Sequence, residues 1–284
     1  MNEFDSRYFP LKRKFPNRVK KFSRSRELRL ERVKFPGFLL EAARVALPSP
    51  VRSMAGKRLV FISDWHWHAS QRNYRILDEL SGILQQFPAD LLLLGGDLCD
   101  DAEFLGVLPP LLTRLGTLAP RVVAVNGNWE TGKRWLKPDY FTSLFAGHGI
   151  KLLTNQTEHY ADTFILGLPD ISSIDFRNLP PPEITPETLN ILLSHSPDGV
   201  VAADKGAFLK NFHLAFCGHN HGGQIRLPFI GALYCPSFYR CKFDRGIFDR
   251  EGSDFKMIIS SGIGEHYRTS RILCPPEAVI VELA

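Results

Sequence analysis

The chain has 284 residues, and 44% of them are hydrophobic, which is enough to bury one substantial core. No apolar run reaches the roughly 18 residues of a membrane-spanning helix, and residues 1–5 lack the start of a secretory signal. The formal net charge is +5, and the five cysteines have no zinc-finger spacing, so we expect a protein of the reducing cytoplasm.

The positive charge is concentrated near the N-terminus. Between Lys12 and Lys34 eleven lysines and arginines stand against two glutamates, and a mainly apolar stretch follows up to Leu47. We predict a basic, partly amphipathic leader over residues 1–56, ahead of a single domain over residues 57–284. Such a leader is typical of a peripheral anchor on an anionic membrane, here the inner face of the cytoplasmic membrane. The alternatives are a tail that packs on the domain and, less favoured, a nucleic-acid-binding arm.

Short apolar runs at residues 60–63, 91–95, 122–125, 191–194 and 214–217 predict buried strands. Helical patterns at residues 73–86, 102–115 and 138–146 separate the early strands, as βαβ units require. Later strand-like runs at residues 163–167, 256–260 and 279–283 have few helices between them. The sequence therefore predicts an α/β (α+β) domain with a parallel-rich first half and an antiparallel-rich second half.

Polar side chains follow five of these strands, and ligands collect at the carboxyl ends of such strands. The seven residues are Asp64, His66, Asp97, Asn128, His195, His219 and His221. Carboxylate, amide and imidazole donors suit Mn²⁺, with Fe²⁺ or Zn²⁺ as alternatives, and the absence of thiolates argues against a structural zinc site. Two dications about 3.5–4 Å apart hold the attacking and leaving oxygens of a phosphoryl group and make bound water nucleophilic near neutral pH.

The same residues resemble the pattern of the calcineurin-like metallophosphoesterases, which runs Asp-x-His, Gly-Asp-x-x-Asp, Gly-Asn-His-Asp/Glu, His and Gly-His-x-His. Here it reads Asp64-Trp65-His66, Gly96 to Asp100, Gly127 to Glu130, His195 and Gly218 to His221. The resemblance implies a four-layer αββα sandwich with two divalent metal ions. It places Asp64, His66 and His221 on the first metal. It places Asn128, His195 and His219 on the second, with Asp97 bridging both, and it makes Asp97, Asn128 and His195 catalytic.

One position departs from this pattern, because Trp129 stands where the family usually has a histidine that assists the leaving group. An indole is not a general acid at pH 7, so a substrate with a phosphate leaving group is favoured over an alkyl phosphate. Alternatively, His68 or His266 supplies the proton. We expect substrate contacts from Trp129, His68 and Arg271. Other candidates for binding phosphate are Lys133, Arg134 and Arg268.

Residues 192–198, 218–228 and 261–264 resemble a membrane-associated bacterial branch, and the non-histidine residue after Asn128 resembles the UDP-2,3-diacylglucosamine pyrophosphatases. The resemblance implies a nucleotide-linked or lipid phosphate substrate. We expect hydrolysis of UDP-2,3-diacylglucosamine to UMP and 2,3-diacylglucosamine 1-phosphate, a step of lipid A biosynthesis. The alternatives are a broad phosphodiesterase or phosphatase and a non-catalytic metal-binding scaffold.

Three further features allow two interpretations each. The apolar segment 225–239 either borders the site, where it receives acyl chains or faces a bilayer, or is a hairpin with its apolar side buried. Asp100 either caps the next helix or supports the site. Glu130 is either an acceptor behind the site or an exposed turn carboxylate.

Overall fold

The computed structural model describes residues 18–100, 105–132, 139–183, 185–205, 208–265 and 270–284. Sixteen strands are present in this part of the chain. They are β1 (Phe22–Arg24), β2 (Glu31–Val33), β3 (Glu41–Leu47), β4 (Arg58–Ile62), β5 (Leu91–Leu94), β6 (Val122–Val125), β7 (Ile150–Leu153), β8 (Gln156–Tyr160), β9 (Thr163–Leu168), β10 (Leu189–Ser194), β11 (Leu214–Cys217), β12 (Arg226–Leu227), β13 (Gly231–Ala232), β14 (Gly246–Arg250), β15 (Lys256–Ile259) and β16 (Glu277–Leu283). The α-helices are α1 (Gln71–Gln86), α2 (Leu108–Gly116), α3 (Asn128–Thr131), α4 (Tyr140–Ala146) and α5 (Pro197–Ala203).

Fourteen strands form two seven-stranded sheets. Sheet I has the order β2-β3-β16-β4-β5-β6-β7, and β4 to β7 run parallel to one another. Sheet II has the order β1-β14-β15-β11-β10-β9-β8, with β9, β10, β11 and β15 parallel. β12 and β13 form a separate hairpin. All four leucines of β5 are buried, which reflects a parallel strand covered on both faces.

Three layers of apolar side chains hold the sheets and helices together. The inner faces of the two sheets meet in the central layer, where the rings of Phe61 and Phe216 lie 5.5 Å apart. A second core packs α1, α2 and α4 on sheet I, and a third packs α5 on sheet II. This arrangement is the predicted four-layer αββα sandwich.

The predicted helices are present, with shifted ends. α1 begins two residues early because the Ser70 side chain caps it, accepting a hydrogen bond from the Asn73 amide. α2 begins at Leu108 with two prolines in its first turn, where a missing N–H costs no helical hydrogen bond. The first residues of the pattern at 102–115 lie outside the described residues. α4 covers residues 140–146 of the third pattern.

The segment assigned to a leader differs from the expected appended arm, since its described part supplies three strands to the two sheets. β1 pairs with β14 at the edge of sheet II, and β3 pairs with β16 over seven residues inside sheet I. Its basic side chains pair with acids of the domain, since Arg32 donates to Glu277 and Arg24 donates to Asp244, and Arg32 also donates to Glu41 within the segment. Residues 18–56 are therefore part of the sandwich. Residues 1–17 lie outside the described residues.

Among the described residues, no helix combines the length and apolar character needed to cross a bilayer.

Candidate metal centre

The predicted ligands lie at the carboxyl ends of strands from both sheets. Asp64 and His66 follow β4, Asp97 follows β5 and Asn128 follows β6, so these four come from sheet I. His195 follows β10, and His219 and His221 follow β11, so the other three come from sheet II. Because the inner faces of the sheets pack together, the two sets of side chains converge.

The first group consists of Asp64, His66 and His221, with one donor atom of each within 4.8 Å of the others. All three side chains are buried. The Nε2 atoms of His66 and His221 lie 3.0 Å apart, and the His221 Nε2 lies 3.9 Å from Asp64 Oδ1. These are the residues expected on the first metal.

The second group consists of Asp97, His195 and His219, which satisfy the same distance limit. The Nε2 of His195 lies 3.1 Å from the Nδ1 of His219 and 3.5 Å from Asp97 Oδ2. Asn128 Oδ1 is 3.0 Å from the same His195 nitrogen, so the amide joins this group. The structure thus brings together all seven predicted ligands, while the bridging role of Asp97 stays a prediction.

The donor set fits two divalent cations. Burial raises the pKa of Asp97 well above its ordinary value, and the Glu130 and Asp64 carboxylates raise it further. Burial, assisted by the neighbouring His195, lowers the pKa of His219 to about 4, so the imidazole is neutral and offers a lone pair. Buried carboxylates and converging neutral imidazoles are stabilised by cations between them.

Each of three imidazoles is oriented by a hydrogen bond at the nitrogen that faces away from the site. The Nδ1 of His66 contacts the Asp100 carboxylate, and the Nδ1 of His195 lies 2.8 Å from the Gly95 carbonyl. The Nε2 of His219 lies 2.7 Å from the Pro236 carbonyl. An N–H donated there fixes the tautomer and leaves the other nitrogen for the metal. The contact of Asp100 with His66 supports its role at the site.

Backbone amides hold the two aspartates. The His219 amide lies 2.9 Å from both carboxylate oxygens of Asp64, and the Ser63 hydroxyl donates to the same group. The Trp129 amide donates to Asp97 Oδ1 at 2.9 Å. The loops that carry ligands from different strands are therefore hydrogen-bonded to one another.

Glu130 is buried, so the exposed-turn interpretation of this residue is wrong. One carboxylate oxygen accepts the amides of Asp97 and Gly127 at 2.9 and 2.8 Å. The other accepts the amides of Leu98 and Cys99 at 2.7 and 3.3 Å. Glu130 thus caps α3 and anchors the loop that presents Asp97.

Five ligands adopt the left-handed backbone conformation that L-residues other than glycine seldom adopt. They are Asp64 (φ 53°), His66 (φ 49°), Asp97 (φ 51°), His219 (φ 71°) and His221 (φ 49°). Each such conformation costs about 1–3 kcal/mol and persists only where the surroundings impose it. Gly127 shows how close the packing is, because a Cβ there would lie 2.0 Å from Asp97 Oδ1.

A family model described as "Calcineurin-like phosphoesterase" matches residues 57–223, which is more than half of the chain. The chain belongs to the calcineurin-like phosphoesterases. It is a metal-dependent phosphoester hydrolase with a dinuclear metal site. This assignment favours the enzyme over the non-catalytic scaffold.

This phosphoesterase is similar to curated bacterial proteins over most of its length. It is 27% identical to "Phosphodiesterase YaeI" of Escherichia coli, over 80% of this chain and 82% of that protein. It is 26% identical to the uncharacterized metallophosphoesterase YkuE of Bacillus subtilis, over 80% of this chain and 79% of that protein. Among solved structures, a dimetal phosphatase from Danio rerio covers 73% of this chain and 88% of its own, with 10% identity and a TM-score of 0.45.

The expected substrate-contacting residues occupy three different positions in the phosphoesterase. The Trp129 ring meets the His66 ring edge-on at 6.1 Å, so the indole lies beside the first group. His68 is exposed just after His66, with its Nδ1 3.2 Å from the His66 carbonyl oxygen. Contact of either residue with substrate stays a prediction.

Arg271 is half-buried behind His221. Its guanidinium donates to the carbonyl groups of Gly264 and Ser261 at 2.7 and 2.8 Å, and it lies 3.4 Å from the Nδ1 of His221. These contacts hold the ligand loop, and the contact of Arg271 with substrate phosphate stays a prediction. The other candidates Lys133, Arg134, Arg268 and His266 lie outside the described residues.

Proposed function

We propose that this phosphoesterase hydrolyses a phosphodiester-type linkage whose leaving group is itself a phosphate. The leading candidate is the pyrophosphate of UDP-2,3-diacylglucosamine. Water adds across the P–O–P linkage and one P–O bond breaks, so that UMP and 2,3-diacylglucosamine 1-phosphate are formed. The expected metal is Mn²⁺, with Fe²⁺ or Zn²⁺ as alternatives that the same oxygen and nitrogen donors accept.

The observation that carries this proposal is the indole of Trp129 beside His66. Its amide orients Asp97 and its ring lies against a ligand of the first group, so residue 129 is at the metal centre. An indole N–H does not protonate an alkoxide at neutral pH. A general acid contributes typically about 10²–10⁴-fold to the rate, and a phosphate leaving group needs this assistance least.

The remaining side chains of the site bind and orient. The carboxylates of Asp64 and Asp97, the Asn128 amide and the imidazoles of the two groups would hold two cations, whose positive charge would attract a phosphate. Asp100 and the carbonyl groups of Gly95 and Pro236 keep three of these imidazoles in the required tautomer. Proton transfer by His68, two residues after His66, stays a prediction for a substrate with a poorer leaving group.

A second candidate is a phosphodiesterase of broad specificity. The similarity to the Escherichia coli protein named a phosphodiesterase, which extends over 80% of this chain, supports it. The two candidates share the metal centre and differ in the group attached to phosphorus.

The test is a hydrolysis assay with UDP-2,3-diacylglucosamine, UDP-glucose and bis-p-nitrophenyl phosphate, with Mn²⁺ and with chelator. A strong preference for the acylated nucleotide supports the pyrophosphatase. Equal or greater activity on the small diester overturns it in favour of the broad phosphodiesterase. Asp97→Asn serves as the control for contaminants, because it removes a charge from the second group and turnover should be lost.

A further inference from the structure

Exposed apolar side chains are concentrated at one place on the molecule. Among the described residues ten large apolar side chains are exposed, and seven of them belong to residues 225–234 together with Ile272 and Leu273, which we call the apolar lip. The seven are Leu227, Phe229, Ile230, Leu233, Tyr234, Ile272 and Leu273. Phe229 is exposed to 109%, Tyr234 to 72% and Ile230 to 71%. Contiguous exposed apolar surface of this kind marks a contact site.

The backbone of the apolar lip is ordered by hydrogen bonds, which makes the exposure a property of the fold. β12 and β13 pair as a short hairpin, with Leu227 opposite Gly231. The segment that carries Ile272 and Leu273 is bonded to this hairpin. The Arg226 amide donates to the Ile272 carbonyl, and the Ile272 amide donates to the Gln224 carbonyl, each at 3.0 Å. Phe229 at the tip has a φ of 66°, an unfavourable conformation that presents its ring to solvent.

Positive charge surrounds the base of the apolar lip. Arg226 and Arg24 share a single carboxylate, that of Asp244. The Arg245 guanidinium lies 3.8 Å from the sulfur of Cys274, the residue after Leu273. The side chains of Arg240 and Lys242 are exposed on the segment that precedes Asp244. At the base of the apolar lip, Arg226, Arg24 and Arg245 therefore stand against the single carboxylate of Asp244, which leaves a net positive charge.

We propose that the apolar lip docks into the surface of an anionic lipid bilayer. A projecting apolar tip with cations at its base matches an interface of acyl chains below negatively charged headgroups. A tip exposed on all sides fits a fluid layer, which closes around it, better than a rigid partner that needs a shaped pocket.

Docking brings the metal centre to the membrane. The apolar lip begins four residues after His221 in the chain, and the chain after it reaches Pro236, whose carbonyl oxygen lies 2.7 Å from His219. A phosphate group near the headgroup plane is then close to both metal groups. The proposal does not rest on the identity of the substrate, and it can fail while the proposed function stands.

The test uses tryptophan as a depth probe in the full-length protein with Mn²⁺. Phe229→Trp puts an indole at the tip, and Phe38→Trp is the matched control. Phe38 is also exposed, but it packs on Phe35 and on Gly82 of α1. Both variants and the wild type are mixed with phosphatidylglycerol vesicles carrying brominated acyl chains. Quenching needs contact with the acyl chains, so binding through the basic N-terminus alone does not produce it.

We expect additional quenching for Phe229→Trp and none for Phe38→Trp. The double variant Phe229→Ser/Ile230→Ser should bind the vesicles at least roughly tenfold more weakly, because burial of one such side chain is worth more than that factor. Its hydrolysis of bis-p-nitrophenyl phosphate should be unchanged, which shows that it folds. Equal quenching in both tryptophan variants overturns the proposal. The proposal is also overturned if the wild type makes no contact with lipid and instead self-associates, and the double variant abolishes this self-association. The apolar lip would then be an interface with a second copy of the chain.

Discussion

Glu130→Gln tests whether the loop that presents Asp97 is held by a carboxylate. The substitution keeps the size of the side chain and turns one acceptor oxygen into an NH₂ donor. Each carboxylate oxygen accepts two backbone amides, so two of the four buried N–H groups lose their acceptor whichever way the new amide is oriented.

The expected loss follows from that count. A buried donor without a partner costs about 1–3 kcal/mol of stability. Part of this loss is offset, because the substitution also removes the repulsion between the Glu130 and Asp97 carboxylates that raises the pKa of Asp97. We expect a net loss of about 3 kcal/mol in the free energy of unfolding. For a chain of this size that corresponds to a decrease in Tm of roughly 6 °C. Loss of such support behind a ligand typically weakens metal affinity by about 10–100-fold.

The assay combines thermal unfolding with Mn²⁺ titration by calorimetry, and Glu187→Gln is the matched control because Glu187 is exposed. The control should match the wild type in both measurements. A Glu130→Gln variant with wild-type Tm and wild-type Mn²⁺ affinity would refute the reasoning, since the four amide contacts would then carry no energy.

Three further predictions concern the leaving group, pH and metal. Trp129→His should raise kcat/KM on an alkyl phosphodiester at least roughly tenfold relative to a pyrophosphate, as it restores a proton donor; an unchanged ratio contradicts this. Burial raises the pKa of Asp198 to about 6, above its unfolded value, so stability falls as pH rises through this range. In urea unfolding of the wild type, this group should make the protein about 2 kcal/mol less stable at pH 7.5 than at pH 4.5. Asp198→Asn should lack this difference, and its amide can still bond to Ser237 and Phe238. Removal of metal with a chelator should lower Tm by roughly 10 °C relative to protein with Mn²⁺ at a hundred times the Kd of each site, because each of the two sites contributes about 2.7 kcal/mol; re-addition should restore it, and a Tm insensitive to both argues against metal binding at the buried groups.

The metal centre could be predicted because its signal is local. Each ligand directly follows a short apolar strand, and the strands of each sheet that carry ligands run parallel, so their ends share one edge. The backbone at these ligands could not be predicted. Nothing in the residues near Asp64 or His221 indicates a left-handed conformation, which contacts between distant loops impose.

The N-terminal strands show the opposite case. Residues 41–47 consist mainly of good helix formers, yet they form β3 because β16 and β2 pair with them on either side. Arg32 forms an ion pair with Glu277, which lies 245 residues further along the chain. Pairing with partners this distant produces no hydrophobic periodicity in the N-terminal sequence. The sequence alone therefore predicts a leader for this segment.

The origin of the ligands in two sheets has a mechanical consequence. Each metal group takes residues from both layers: His221 completes the group of Asp64 and His66, and His195 and His219 complete that of Asp97. A bound cation therefore cross-links the layers at their catalytic edge, much as a disulfide would in an oxidising compartment. Sliding of one sheet across the other would stretch the metal–ligand bonds, so bound cations would hold the two sheets in register at this edge.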